Sequence, residues 1–387
     1  MKNNEFNNKV DLSISRICSS AKNNEIVSVI VFADEKEKEA IRNKLKDCGC
    51  LLKYELDMLG AFAVDTYAHK INEIAKEESI IYIANDAEAT TCMNIARPTV
   101  GADDVAYTGK DVGVAVIDTG IYPHDDLTLN SNRIVEFVDF VQGKKKPYDD
   151  NGHGTHCSGI LASDGVSSQG KYRGIAPEAN LIGLKVMNAG GEGNTSDILA
   201  ALDWVWKNKE KYNIRVVSLS LGSPSGGKRA YDPMVLACER LWNSGIVVVA
   251  AAGNEGPALR TIDTPGVSRK IITVGCSDDQ ETPNFKDDTI ADFSSRGPSP
   301  YGKGKPDLVA PGVNIMSLAN HGSGYIPMSG TSMSTPVVAG CCALLLEKSP
   351  NLSPNEVKQR LLRSTYTLKR PSVEQGSGLI NLTKLLS

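Results

Sequence analysis

The chain is expected to be an α/β protein: a parallel sheet flanked by helices on both faces, preceded by a small βαββαβ unit of the ferredoxin-like kind. Two features of the sequence carry this. After position 109, near-continuous apolar runs at 112–117, 181–186, 216–219, 246–250 and 271–274 recur between stretches of helical spacing. Strands buried on both faces of a parallel sheet need such unbroken runs, whereas one-sided strands alternate. Before position 87, shorter apolar runs and two charged stretches follow in the order strand, helix, strand, strand, helix, strand.

Taken in order, positions 1–24 are polar and read as a loosely held leader or a short helix. The β-branched run 26–32 suits a buried strand, 34–46 a surface helix, 51–56 and 61–64 two strands joined around Gly60, 68–77 a second helix and 80–83 a last strand. These belong to a small unit over 25–92, with a larger domain over 93–387. Positions 87–108, punctuated by Pro98 and Gly101, have no clean period and read as an extended linker. Helical spacing returns at 196–209 and 231–244, and Ser353-Pro354-Asn355-Glu356 is a capping box with proline at the first helical position.

A chain of 387 residues has room for one large domain and one small. Charged residues make up 23% and the formal net charge is -4, so neither a nucleic acid nor a membrane surface is expected as partner. No apolar run of signal-peptide or membrane-spanning length follows the polar start, so a cytoplasmic location is expected. The nine cysteines agree. Their number is odd, they are scattered, and Cys48 and Cys50 are too close for a CxxC motif. They read as free thiols of a reducing compartment.

Four segments combine glycine with a reactive side chain. In Val116-Ile117-Asp118-Thr119-Gly120 an aspartate follows a buried strand, at the sheet edge where open α/β sheets bind ligands; a turn aspartate is the alternative. In Asp150-Asn151-Gly152-His153-Gly154-Thr155-His156-Cys157, two histidines three apart could hold a metal. No glutamate completes an HExxH pattern, so one catalytic and one structural histidine fit better. In Ser329-Gly330-Thr331-Ser332-Met333-Ser334 a serine opens a long apolar stretch, either as a nucleophile at a helix start or as a cap. In Ala250-Ala251-Ala252-Gly253-Asn254-Glu255-Gly256 an asparagine held by glycines is a fixed amide donor or a turn residue.

In this order the four blocks resemble the subtilases, the subtilisin-like serine proteases, from about position 95 to the C-terminus. The block from Tyr148 to Cys157 is similar to their unsecreted bacterial branch. Ser218-Leu219-Ser220-Leu221-Gly222, Phe293-Ser294-Ser295-Arg296-Gly297-Pro298 and Pro306-Asp307-Leu308-Val309-Ala310-Pro311-Gly312 extend the resemblance. It implies a serine endopeptidase with Asp118, His153 and Ser332 as triad, Asn254 as oxyanion donor and His156 as a structural histidine. It implies substrate binding as an added strand between Ser220-Leu221-Gly222 and the glycine-rich edge with Gly191 and Gly193. Ala251, Ala252 and Gly253 would wall S1 with Glu255 beside it, and Leu221 and Ile198 would make S4 apolar. Peptides and proteins are the expected substrates.

The small unit resembles the subtilase inhibitory prodomain, which assists folding, blocks the cleft as an intramolecular inhibitor and is removed by self-cleavage. Counting from the last strand puts the cut near Cys92 and Met93. No cofactor is needed for the chemistry. A structural calcium ion is suggested by His124-Asp125-Asp126-Leu127, which resembles a block whose aspartate, here Asp126, ligates calcium in many members; the facing loop 163–172 offers one carboxylate, Asp164. Ser334 departs from the family's alanine. Three other readings are a non-catalytic scaffold that binds or regulates, a dedicated precursor-maturation protease, and metal-dependent hydrolysis through His153 and His156.

Overall fold

A computed structural model describes residues 9–11, 14, 15, 18, 25–34, 37–86, 88–91, 97–223, 231–280, 282–301 and 304–387. The first sheet is antiparallel. It joins β1 (Ile26–Ala33), β2 (Leu51–Leu56), β3 (Ala61–Tyr67) and β4 (Ile80–Asn85) in the order β2-β3-β1-β4. Helices α1 (Lys38–Asp47) and α2 (Ile71–Ile74) complete the expected βαββαβ path. Alternation along β1 decides what each face meets. Val27, Val29 and Val31 pack with Ile41 and Leu45 of α1 and with Ile71 and Ile74 of α2. Ile30 and Phe32 join the core of the rest of the molecule. The polar leader also contributes: Val10 bridges Ile83, and Ile14 is buried in the small core.

Positions 87–108 differ from a plain linker. Glu88–Thr91 form a strand, β5, and Pro98–Val100 a single 3-10 turn. Nothing in the Glu-Ala-Thr-Thr pattern calls for a strand; the pairing comes from strand edges supplied on both sides.

The large sheet contains β6 (Gly113–Asp118), β7 (Ile134–Asp139), β8 (Asn180–Lys185), β10 (Ile214–Leu219), β12 (Val247–Ala251), β13 (Ile272–Asp278), β15 (Leu308–Pro311), β18 (Thr365–Tyr366) and β19 (Leu379–Ile380). Their order is β18-β19-β15-β13-β12-β10-β6-β8-β7, with β14 (Thr289–Ile290) paired to β13. The pairs from β7 through β19 are parallel, while β14 and β18 run antiparallel to their neighbours. The five predicted apolar runs are β6, β8, β10, β12 and β13, and each is almost wholly buried.

Two helix pairs flank this sheet. In one, α4 (His153–Ala162) packs on α7 (Thr331–Lys348); in the other, α5 (Thr195–Asn208) packs on α6 (Pro233–Asn243). Before them α3 (Asp125–Thr128) is a single turn. Residues Thr331 to Leu346 of α7 are buried all round, which is why its sequence shows no polar face. At the C-terminus, α8 (Pro354–Arg363) carries the predicted capping box, followed by α9 (Ser372–Gln375) and α10 (Leu382–Leu386). The short hairpin β16 (Ile315–Leu318) and β17 (Tyr325–Met328) lies beside α4.

The remaining strands, β9 (Gly193–Asn194) and β11 (Leu221–Gly222), flank β5 in a separate sheet of order β11-β5-β9. No helix among the described residues is long and apolar enough to cross a membrane.

Candidate active site

Asp118 ends β6, where the chain crosses from one half of the sheet to the other; its neighbours are β8 on one side and β10 on the other. That carboxyl edge is the usual ligand crevice of an open α/β sheet. His153 opens α4, and its Nδ1 lies 2.6 Å from Asp118 Oδ1. The approach depends on Gly154, because a Cβ there would collide with the Gly120 carbonyl and stand 3.1 Å from Asp118 Oδ1. Asp149 fixes the start of α4: its Oδ2 accepts from Thr155 N at 2.9 Å and Oγ1 at 2.7 Å, and its Oδ1 from Gly152 N at 2.9 Å. Buried Lys185, at the end of β8, ties Asp150 at 2.7 Å to the Thr119 carbonyl at 2.5 Å.

Burial alone would lower the His153 pKa, but the Asp118 carboxylate outweighs it and holds that pKa well above the ordinary histidine range. His156 behaves in the opposite way. Burial, with His153 nearby, pushes its pKa down to about 3. Its Nε2 sits 3.0 Å from the Ile315 carbonyl and 3.1 Å from that of Ile326, so this nitrogen donates and is not a metal ligand. Among the described residues, the side chains of ligating type that come together are Asp118, His153 and Cys157. Burial holds the Cys157 thiol pKa up, away from the thiolate that a metal would need. The sulfur lies 3.9 Å from both ring nitrogens of His153 and 3.6 Å from the Ser332 carbonyl, so it packs between histidine and serine.

Ser332 is the second residue of α7 and is 3% exposed. Its hydroxyl donates to the Ser220 carbonyl at 2.9 Å, and the Ser220 hydroxyl donates back to the Ser332 carbonyl at 2.6 Å. Asn254 follows β12. Its Oδ1 accepts from Thr331 N at 3.0 Å and from Thr331 Oγ1 at 3.2 Å, which leaves the amide NH2 as the end directed elsewhere. Thr331 was not singled out in the sequence, although it sits inside the Gly330-Thr331-Ser332 block; its neighbours' chemistry overshadowed it. Ser334 donates to the Ala310 carbonyl at 2.8 Å, so the extra hydroxyl is satisfied away from the nucleophile.

The two glycine-rich edges border β5. It pairs antiparallel with β11, Leu221 opposite Thr91 and Gly222 opposite Thr90, and antiparallel with β9, Ala89 opposite Gly193 and Glu88 opposite Asn194. Gly191 lies in the turn before β9, its N–H donating to Asn188 O at 3.0 Å. Leu221 and Ile198 are both buried, as are Ala251 and Ala252, while Glu255 is exposed. The small sheet is held beside this groove by polar contacts that the sequence did not reveal. Asp86 Oδ1 accepts from Ser196 N in the first turn of α5, and Tyr54 Oη donates to Asp197 at 2.6 Å. Tyr82 stacks on Tyr231 with ring centroids 4.4 Å apart. Cys92 and Met93 lie outside the described residues.

Asp126 does not fit the calcium expectation. Its Oδ1 accepts from Ser167 N at 2.8 Å, and its Oδ2 from Ser163 Oγ at 2.8 Å and Tyr325 Oη at 2.7 Å. Donors aimed at both oxygens already satisfy the charge and oppose a cation. Asp164 is likewise engaged, with Asn130 Nδ2 at 2.9 Å and Val166 N at 2.9 Å. Calcium wants six to eight oxygens, and hydroxyl and amide donors stand where they would be.

Fold and site together define a serine peptidase built on a doubly covered parallel sheet. The chain belongs to the subtilase family, whose model matches residues 109–378. It is 50% identical over 294 residues to the serine protease AprX of Bacillus subtilis (strain 168), covering 71% of this chain and 66% of that one. It is 33% identical over 367 residues to an alkaline protease of Alkalihalobacillus alcalophilus, covering 92% and 88%. With subtilisin DY of Bacillus licheniformis it shares 37% identity over 291 residues, 74% and 95% of the two chains. The protein is a serine endopeptidase and its substrates are peptides or proteins.

Proposed function

We propose that the chain is made as a zymogen and that Asp118, His153 and Ser332 hydrolyse peptide bonds through an acyl-enzyme. The observation that carries this reading is β5: a piece of the chain lies as the middle strand between the two edges that lead to Ser332. Pairing of backbone on both sides binds an extended segment with little regard for its side chains.

In this reading the Ser332 hydroxyl attacks the scissile carbonyl and His153 Nε2 takes its proton, later giving it to the leaving amine. Asp118 keeps the proton on Nδ1 and stabilises the imidazolium. Asn254, its oxygen held by Thr331, presents its NH2 to the oxyanion, with the Ser332 N–H as second donor. Ala251, Ala252, Gly253 and Glu255 surround S1, and Leu221 and Ile198 back an apolar S4.

The β5–β11 pairing ends with Thr91 opposite Leu221, next to Ser220 in sequence, which supports a self-cut just after β5, between Cys92 and Met93. Residues 25–92 then act as inhibitory prodomain and 93–387 as peptidase. A cytoplasmic site of action is supported by the cysteines, since the eight described ones are all free. Intact mass of fresh wild type and Ser332→Ala, followed over time, tests the proposal. Wild type should lose residues 1–92 and the variant should not. If both stay whole and neither wild type nor variant reacts with a fluorophosphonate, the triad assignment fails. A mature start far from Met93 refutes the register.

A further inference from the structure

The side chain before the cut must enter the space between two walls, Ser220 to Gly222 and Ala251 to Gly253. Both walls end in glycine, and both glycines face one side chain, Asp263. A Cβ on Gly253, whose φ is +106°, would collide with Asp263 Oδ2, and one on Gly222 would stand 2.9 Å from Asp263 Cβ and 3.4 Å from Oδ2. The backbone here is fixed from both sides. Asp263 N donates to the Ala252 carbonyl at 2.9 Å, and Thr264 exchanges hydrogen bonds with Ser223 at 3.0 and 3.1 Å.

The carboxylate itself is half-buried, and no donor or cation among the described residues pairs with it. Two buried carboxylates show a structural task, whereas Asp288, like Asp263, has no hydrogen-bond partner among the described residues. Asp149 holds the start of α4, and Asp307 pairs with Lys305 at 2.5 Å and Lys358 at 2.8 Å. Asp263 has none. Burial pushes its pKa up to about 7, and the Glu255 carboxylate adds to the rise.

We infer that Asp263 is the floor of the S1 pocket and that, with Glu255 at the rim, it selects substrates carrying arginine or lysine before the scissile bond. This rests on the Ser332 and strand-edge reading proposed above. The glycines let the carboxylate pack close against both walls, and a cationic head on a long aliphatic stem would meet a carboxylate with no other partner among the described residues. Its arrival restores the ionised form that burial opposes and creates a charge-assisted hydrogen bond. A cysteine at position 92 does not conflict with this preference. An intramolecular segment reaches the cleft at an effective concentration of roughly millimolar or more and needs no help from S1.

Prodomain-free enzyme is tested on peptide p-nitroanilides that differ only in P1: Arg, Lys, Leu and Phe. The kcat/KM for Arg and Lys should exceed that for Leu and Phe by about tenfold or more, and Asp263→Asn should lower this ratio by about tenfold. Glu255→Gln, exposed at the rim, should lower it by less. A role confined to folding would scale all four substrates together and leave the ratio unchanged in Asp263→Asn; that result, or a wild-type preference for Leu or Phe, overturns the inference. Failure to cleave any of the four, together with no fluorophosphonate reaction, refutes the Ser332 reading itself and this inference with it.

Discussion

Thr331 stands to Asn254 as Asp118 stands to His153: each fixes the direction of a group to which the proposed mechanism gives the chemistry. Removing the amide in Asn254→Ala should lower kcat by about 10²–10³-fold, the size of loss established for subtilisin rather than one obtained from this geometry. Thr331→Val keeps the shape but removes the hydroxyl that holds Oδ1, and a smaller loss, about tenfold, should fall on kcat with KM nearly unchanged. Steady-state kinetics on one peptide substrate separates the two parameters. A Thr331→Val effect confined to KM would contradict the orienting role. His156 makes a different prediction, about stability. Its folded pKa of about 3 lies below the unfolded value, so the unfolded chain binds the extra proton. Stability is therefore full above about pH 6.5 and is lost as pH falls toward 3, by about 2 kcal/mol at pH 5. Measured by urea unfolding, Ser332→Ala should lose about that much more stability between pH 7 and pH 5 than the same chain with His156→Asn added, a difference that cancels the opposite contribution of His153. Equal pH dependence with and without His156 would refute the assignment.

At the scale of elements, the N-terminus of α5 is capped by a side chain from another part of the chain. Asp86 accepts from Ser196 N and pairs with Lys53 at 2.9 Å. It lies immediately before β5, so one residue couples the small sheet to the groove. Asp86→Ala should weaken the hold of the small unit by about 0.5–2 kcal/mol, a typical worth of a cap. After self-cleavage, the variant's fragment should dissociate several times faster, measured as a shorter lag before full peptidase activity. An unchanged lag would mean that Tyr54, Tyr82 and the strand pairing hold the fragment without the cap.

Over the whole molecule, the sequence was most legible where one physical rule acted alone. Unbroken apolar runs marked the central strands because those strands are covered on both faces, and glycine beside a polar residue pointed to Asp118 and His153, whose side chains meet at 2.6 Å, and to Asn254 and Ser332, whose catalytic roles are proposed. It was least legible where a residue's role depends on a distant partner. Glu88–Thr91 have no strand pattern; two edges more than a hundred residues downstream make them one. Asp126 read as a calcium ligand because the donors that satisfy it come from Ser163, Ser167 and Tyr325. Asp263 sits in an aperiodic stretch, where a carboxylate looks like any solvated charge until the two glycines facing it are seen. The groove around β5 has one more consequence. A slot that reads backbone between two edges admits a chain only where that chain is already extended over several residues. A folded protein offers such a stretch only in its open state, so its rate of destruction follows its own unfolding equilibrium. Among many proteins in one compartment, the least stable would reach such a groove first, with S1 choosing only among the bonds that their unfolding exposes.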